Sequence, residues 1–283
     1  MVDLPVTLYT PASPLREPKR LLREMFHDLT TSRELAWRLF VRDISSQYRQ
    51  SLLGYVWILI PPIVAAVPFI YLNEHGVMKL DATPIPYGAF AAIGTIIWQV
   101  FVDALNAPLK TVTSARPMLT RINLPREAIL LSALAQVVFG FLVRLALLAA
   151  VLAWYRLIPA STAMLFPLGA LCLLLAGFVA GVLITPLGLL YTDVQQSLPV
   201  FTTLLLLLTP VLYPAPASGL AASVIALNPL TPLITATRDW LVIGHTSHAG
   251  ALFIIGAAAA VLLLAGWIIF RIAMPHLIAR VGN

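Results

Sequence analysis

Between Leu52 and Phe270 the chain carries six apolar segments: Leu52–Leu72, Pro86–Leu105, Ala128–Trp154, Leu165–Leu190, Leu198–Leu212 and Ala251–Phe270. Each is near the ~20 residues that a helix needs to cross a bilayer. Composition points the same way. Of 283 residues, 60% are hydrophobic and only 11% charged, with a mean hydropathy of +0.91. Soluble domains carry about a quarter charged residues, and so little charge cannot cover a globule of this size. A water-soluble fold is excluded. The expected fold is an all-α polytopic membrane protein with six transmembrane helices.

The fifth segment is short, and the stretch after it is unusual. From Tyr213 to Trp240 the sequence stays apolar but is broken by Pro214, Pro216, Pro229 and Pro232. It is too broken for one clean span and too greasy for a free loop. Short re-entrant helices before the last span fit, provided protein or water satisfies their backbone.

Basic residues set the expected orientation. Eight, from Arg16 to Arg49, precede the first segment; Lys110, Arg116, Arg121 and Arg126 lie between the second and third; Arg271 and Arg280 follow the last. The alternate connections hold only Lys79, Arg156 and Arg238. Retention of Lys and Arg on the cytoplasmic side then places both termini there. Prolines and charges precede the first apolar run, so no cleavable signal peptide is expected. The single cysteine, Cys172, excludes an intrachain disulfide and a thiolate cluster.

Thr31–Gln50 reads as an amphipathic helix. Thr31 and Glu34 have capping-box spacing. At 100° per residue Trp37, Phe40, Val41, Ile44 and Tyr48 share one side, and Arg38, Arg42 and Arg49 another; Leu35 and Leu39 stray. Such a helix can lie among lipid headgroups, aromatics down and arginines near phosphates.

Four stretches carry a family resemblance. Phe40-Val-Arg-Asp-Ile-Ser-Ser-Gln-Tyr-Arg-Gln-Ser-Leu-Leu-Gly-Tyr-Val-Trp57 resembles the entrance to the first span of ABC-2-type permeases, particularly those exporting O-antigen, capsule or teichoic-acid polysaccharides. Arg121-Ile-Asn-Leu-Pro-Arg-Glu-Ala-Ile-Leu130, Tyr191-Thr-Asp-Val-Gln-Gln-Ser-Leu-Pro199 and Leu227-Asn-Pro-Leu-Thr-Pro-Leu-Ile-Thr-Ala-Thr-Arg238 resemble later stretches of that family, in its order. Ile60-Pro-Pro62 departs from its commoner Asn-Pro, and the N-terminal extension is longer than usual.

The resemblance implies an extension at 1–30, an interface helix at 31–51, a transmembrane domain at 52–272 and a cytoplasmic tail at 273–283. It also implies a homodimer, because one six-span bundle makes half a conduit, and a separate nucleotide-binding ATPase subunit. Arg38, Arg42, Asp43, Arg49, Arg116, Arg121, Pro125, Arg126 and Glu127 are then the candidate contacts to that ATPase. The cargo implied is a lipid-linked polysaccharide, crossing the cytoplasmic membrane of a bacterium.

The chain's own chemistry is sparse. A Walker A loop needs Gly before Lys, whereas Lys19, Lys79 and Lys110 follow Pro18, Met78 and Leu109. ATP and Mg²⁺ are therefore expected on the partner, with no cofactor or catalytic site here. His245 and His248 lack a nearby carboxylate or thiol, and no hydrolase or metalloprotease motif occurs. The bilayer accounts for the net charge of +6 better than nucleic acid does. A membrane-embedded glycosyl- or acyltransferase would need clustered acid, base or nucleophile residues that are not found. An ABC-2 exporter of a drug or small lipid is the nearest alternative.

Arg144 lies ten residues before Trp154, roughly 15 Å below the end of its span. A central arginine costs about 2.5–3.5 kcal/mol on insertion scales and needs compensation. Asp103 sits near the end of the second segment, roughly 15–20 Å away in height. That argues against a direct pair and predicts that Arg144 faces a wet cavity or backbone carbonyls, where it attracts an anionic substrate. Aromatic faces can grip sugar C–H faces, so Tyr55, Trp57, Phe69, Tyr71, Trp98 and Phe101 of the first two spans join Arg144 as candidate channel residues. Gly177-Phe-Val-Ala-Gly181 permits close helix approach, within the chain or between copies.

Overall fold

The computed structural model describes residues 18–49, 51–77, 83–119, 125–216 and 218–281. Among these residues ten α-helices follow one another: α1 (Pro18–Thr31), α2 (Arg33–Tyr48), α3 (Ile60–Glu74), α4 (Tyr87–Leu119), α5 (Arg126–Trp154), α6 (Phe166–Leu190), α7 (Thr192–Leu208), α8 (Leu220–Leu227), α9 (Leu230–Val242) and α10 (Ala249–Val281). Short 3₁₀ turns, Gly54–Ile58 and Ser161–Leu165, precede α3 and α6. No strand occurs among the described residues.

Among the described residues four helices are long and apolar enough to cross a membrane: α4, α5, α6 with its leading turn, and α10. The first and fifth apolar segments form shorter helices, 15 residues in α3 and 17 in α7. Pro61 and Pro62 stand in the first turn of α3, where prolines are tolerated, and they block backward extension of its hydrogen-bond ladder. The second segment is much longer than its hydropathy suggests. Although Asn106 and Lys110 interrupt the apolar run, α4 continues through Pro108 and Pro117 to Leu119. Likewise α10 continues past residue 272 to Val281.

Helix α4 is the hub, with 78% of its apolar window buried against α3, α5, α6 and α9. Its partners fix its direction. Gly177, Gly181 and Gly188 of α6 meet Phe101, Leu105 and Leu109 in step, so α4 and α6 run parallel. Gly256 and Gly266 of α10 meet Cys172 and the Val182–Leu183 pair, so α10 runs parallel to both. The Gly177/Gly181 pair thus packs α6 on α4 within the chain. Helix α5 runs the other way: Gln136 bonds Thr111 at 3.3 Å while Arg144 meets Asp103. One end of the bundle therefore gathers Arg116, Arg126 and Arg271 and is called the basic end below; Tyr87 marks the far end.

Between α7 and α10 the chain stays at the far end. The Tyr87 hydroxyl donates to the Leu212 carbonyl at 2.8 Å, and the Ala160 N–H, in the turn joining α5 to α6, donates to Leu241 at 2.9 Å. Helices α8 and α9 meet at 86°. Leu212 before the pair and Leu241 in its second helix thus both contact the far end, as a re-entrant excursion would require.

A side chain at Gly181 would strike the Leu105 carbonyl, whereas one at Gly250 meets nothing within 4 Å. Overpacking a close contact costs about 1–3 kcal/mol. Gly181→Val is expected to lower the thermal midpoint of the purified protein in detergent, and Gly250→Ala to leave it unchanged or slightly raised.

Candidate functional site

Helix α2 is packed into the bundle. Ala36, Leu39, Phe40 and Ile44 are buried, while Trp37 and Val41 are exposed on another face. The expected apolar side is therefore split: Leu39, which seemed to stray, faces protein, and Trp37 does not. The capping box is not formed. Ser32 is the N-cap and makes no side-chain cap bond, because α1 runs almost directly into α2 and the Thr31 hydroxyl turns back to the His27 carbonyl. Glu34 instead pairs with Arg38 one turn on, at 2.5 Å, on an exposed face.

A polar layer ties α2 to the bundle. The Arg42 guanidinium grips Asp43 at 2.6 Å and also contacts the Met118 sulfur. The Gln136 amide donates to Asp43 at 3.4 Å and to Thr111 at 3.3 Å. Lys110 donates to Gln47 at 3.2 Å. Burial, and next the nearby Asp103 carboxylate, hold the Tyr48 phenol above its ordinary pKa.

The next polar layer is deeper. Arg144 is buried, and its Nη1 donates to Asp103 Oδ2 at 2.6 Å while its Nε donates to the Ile58 carbonyl at 3.1 Å. Gln99 donates to the other Asp103 oxygen at 2.9 Å. Gly140 makes room, since a Cβ there would stand 3.3 Å from Asp103 Oδ2. The expectation that the two could not pair is corrected. Asp103 is not at a helix end but in the middle of α4, because α4 runs on to Leu119. The charge expected to attract an anion is already neutralised.

At the basic end, Arg271 of α10 bridges Glu127 Oε1 at 2.5 Å and Asp28 of α1 at 2.7 Å. Arg126 Nη1 donates to the Arg271 carbonyl at 3.4 Å. Phe26 packs edge-on to Trp267 beside this junction, with centroids 5.8 Å apart. At the far end, buried Arg238 lies 3.6 Å over the Phe90 ring, and its Nη atoms reach the Pro210 and Val211 carbonyls at 3.3–3.4 Å. Its Nε has no hydrogen-bond partner among the described residues.

The candidate residues therefore divide. Arg38, Arg49, Arg116 and Pro125 are exposed, and Arg42 and Arg126 are half-buried. Arg121 lies outside the described residues. The Asp43 and Glu127 carboxylates face inward, held by Gln136 and by Arg271. Among the aromatics, Tyr55, Trp57 and Tyr71 are about half exposed on the first 3₁₀ turn and α3, and Phe69 is intermediate. Trp98 and Phe101, at 4% and 5% exposure, lie in the core of the chain, because α4 is surrounded. A contiguous aromatic run, Trp37–Phe40–Phe139–Tyr55–Tyr48, crosses from α2 over α5 to that 3₁₀ turn, with centroids 4.9–5.9 Å apart.

Sequence reasoning missed the junctions at Arg271 and Arg238. A signal existed in each case, an arginine embedded in apolar sequence, but it names no partner. Among the described residues no group of His, Cys, Asp and Glu could hold a metal.

Breaking a buried ion pair by removing one partner costs about 3–5 kcal/mol, because it strands the other charge. Arg271→Gln is expected to lower the thermal midpoint strongly, Glu127→Gln/Arg271→Gln to recover part of the loss, and Asp28→Asn, at a more exposed carboxylate, to cost about 0–1 kcal/mol. Thermal unfolding of the four purified proteins in one detergent checks the order.

The ABC-2 type transporter profile matches residues 34–242. Over 255 residues the chain is 25% identical to the O-antigen export system permease protein RfbA of Myxococcus xanthus, covering 89% of this chain and 95% of that protein. It is 25% identical over 210 residues to a protein of the same name from Klebsiella pneumoniae, covering 73% and 80%. The profile begins at the start of α2 and ends at the close of α9, so it takes in the Asp43 and Arg144 layers, the exposed aromatics and the bent helix pair, and leaves out Asp28 and Arg271. With most of its length matched in this way, the chain is a membrane-embedded protein that belongs to the ABC-2 type transporter family.

Proposed function

We propose that this chain is the permease subunit of an ATP-driven exporter that moves a lipid-linked polysaccharide, of O-antigen or capsule type, across the cytoplasmic membrane. The observation that carries the reading is the near end-to-end match to the Myxococcus xanthus O-antigen export permease. Two copies form the conduit, and a separate ATPase subunit binds ATP and Mg²⁺. Six crossings, counting the short α3 and α7, leave both termini in the cytoplasm, with the basic end facing the ATPase. Parallel α4, α6 and α10 agree with that count, since helices two crossings apart must run the same way.

Work enters at the basic end, where Arg116 and Pro125 are exposed, and along α2, where Arg38 and Arg49 are. Asp43 and Glu127 then act behind the surface, passing displacement of α2 and of the first turn of α5 into the bundle. Tyr55, Trp57 and Tyr71 offer ring faces on which sugar C–H groups can rest while hydroxyls stay wet. Such a surface grips a polymer without reading its sequence, which suits a cargo that must slide.

Inverted vesicles holding the permease and its ATPase test this. ATP is expected to drive uptake of lipid-linked glycan, and an ATPase partner unable to hydrolyse ATP to abolish it. Tyr55→Ala/Trp57→Ala is expected to slow uptake by about tenfold, roughly 1.4 kcal/mol in barrier, with the complex still assembling. Uptake of a small lipid but not of glycan would instead assign the chain to a lipid or drug exporter.

A further inference from the structure

Arg144 is buried in the middle of the bundle, yet only part of its bonding goes to Asp103. Its Nε donates to the carbonyl oxygen of Ile58, the last residue of the first 3₁₀ turn. The sequence explains why that carbonyl needs a donor. In a 3₁₀ helix the Ile58 carbonyl would accept from residue 61, and in an α-helix from residue 62. Both are prolines, and neither has an N–H. Ile58 is itself buried, at 7% exposure, so water is not a ready substitute. A buried carbonyl left without a partner is costly, and more so in an apolar medium. Arg144 supplies the missing donor from α5.

We propose that Arg144 is a positioning residue for the first apolar segment, its guanidinium replacing the backbone donor that Pro61 and Pro62 withhold from Ile58, with Asp103 neutralising the charge so delivered. Three features converge on this assignment. The donor comes from a residue 86 positions away, so the bond fixes the 3₁₀ turn onto α5. Asp103 is oriented by Gln99, and Gly140 leaves space for the pair. The turn so fixed carries Tyr55 and Trp57, half exposed, with the Tyr55 ring against Phe139 of α5 at 5.6 Å. Arg144 thus holds the platform that presents these aromatics. Any effect on glycan movement rests on the export reading above and is indirect.

The test is a cycle between the Arg144–Asp103 pair and Pro62, in which Arg144→Met is always made together with Asp103→Asn, so that neither charge of the pair is stranded. Docking of the turn is read by cross-linking Tyr55→Cys to Phe139→Cys with a short thiol-reactive reagent in membranes; the one natural cysteine, Cys172, is buried. Arg144→Met is expected to reduce the cross-linking rate by about fivefold, the effect of losing one hydrogen bond worth about 1 kcal/mol. With Pro62→Ala also present, the N–H of residue 62 becomes available and Arg144→Met is expected to have less than a twofold effect. An equal loss in both backgrounds overturns the proposal. So does unchanged cross-linking with export abolished only for acidic glycans, which would make Arg144 a substrate contact. If Arg144→Met leaves no folded protein, folded yield replaces the cross-link: recovery with Pro62→Ala supports the proposal, and no recovery overturns it. Cross-linking requires no transport, so the result stands whether or not the chain exports a polysaccharide.

Discussion

A guanidinium set into an apolar bundle must find its partners within the protein, and among the described residues the buried Arg144 and Arg238 and the partly buried Arg271 do so. Arg238 sits at the far end, Arg144 in the middle and Arg271 at the basic end. Each is answered differently. Arg271 has two carboxylates, Arg144 has one carboxylate and one carbonyl, and Arg238 has carbonyls and an aromatic face. The gradient follows what each local backbone lacks. Where the chain is fully helical, carbonyls are occupied and the charge needs acids. Where helices break, at Ile58 and at Pro210–Val211, free carbonyls become ligands for the arginine, and the arginine becomes their donor. Charge and broken backbone are two liabilities in lipid that cancel when brought together.

The same logic explains why α4 stands at the centre. It supplies Phe90, Asp103 and Thr111 at successive depths from the far end inward, to Arg238, Arg144 and Gln136. A helix that must face partners at several levels on different sides cannot also face lipid. It is accordingly the most buried of the long helices, whereas α5 and α10 leave most of their apolar windows outward. The small residues of α6 let it approach α4 closely enough to close the core, with Gly177 and Gly181 against main-chain oxygens.

Much of the helix plan was legible in the sequence, because apolar run length reports directly on burial in lipid. The proline-broken stretch before the last span was legible too, as two short helices meeting at Asn228–Pro229. What failed was any inference that treated hydropathy as the boundary of a helix. Ending the second segment at Leu105 put Asp103 at the wrong depth and separated it from Arg144. The helix continues because Asn106 satisfies itself on the Val102 carbonyl and Lys110 reaches Gln47, so polar residues are accommodated without a break. Burial of the aromatics was illegible for a related reason. Tyr55, Trp57, Trp98 and Phe101 look alike in sequence, and only the surrounded position of α4 makes the last two core residues.

The inward-facing carboxylates bear on how force can travel in the proposed exporter. Asp43 lies on α2 yet is bonded to α5 through Gln136, which also bonds Thr111 of α4. Glu127 lies in the first turn of α5 yet is bonded to Arg271, and through it to Asp28 of α1. A push on the exposed arginines of α2 therefore reaches α5 at two points, near its first turn and at Gln136. It continues up one rigid helix to Arg144, which holds the turn bearing Tyr55 and Trp57. A lever of this kind needs no change in secondary structure between the basic end and the aromatic rim. It needs only that α5 move as a body and that its side-chain contacts hold, and the polar bonds along it are placed where such contacts are required.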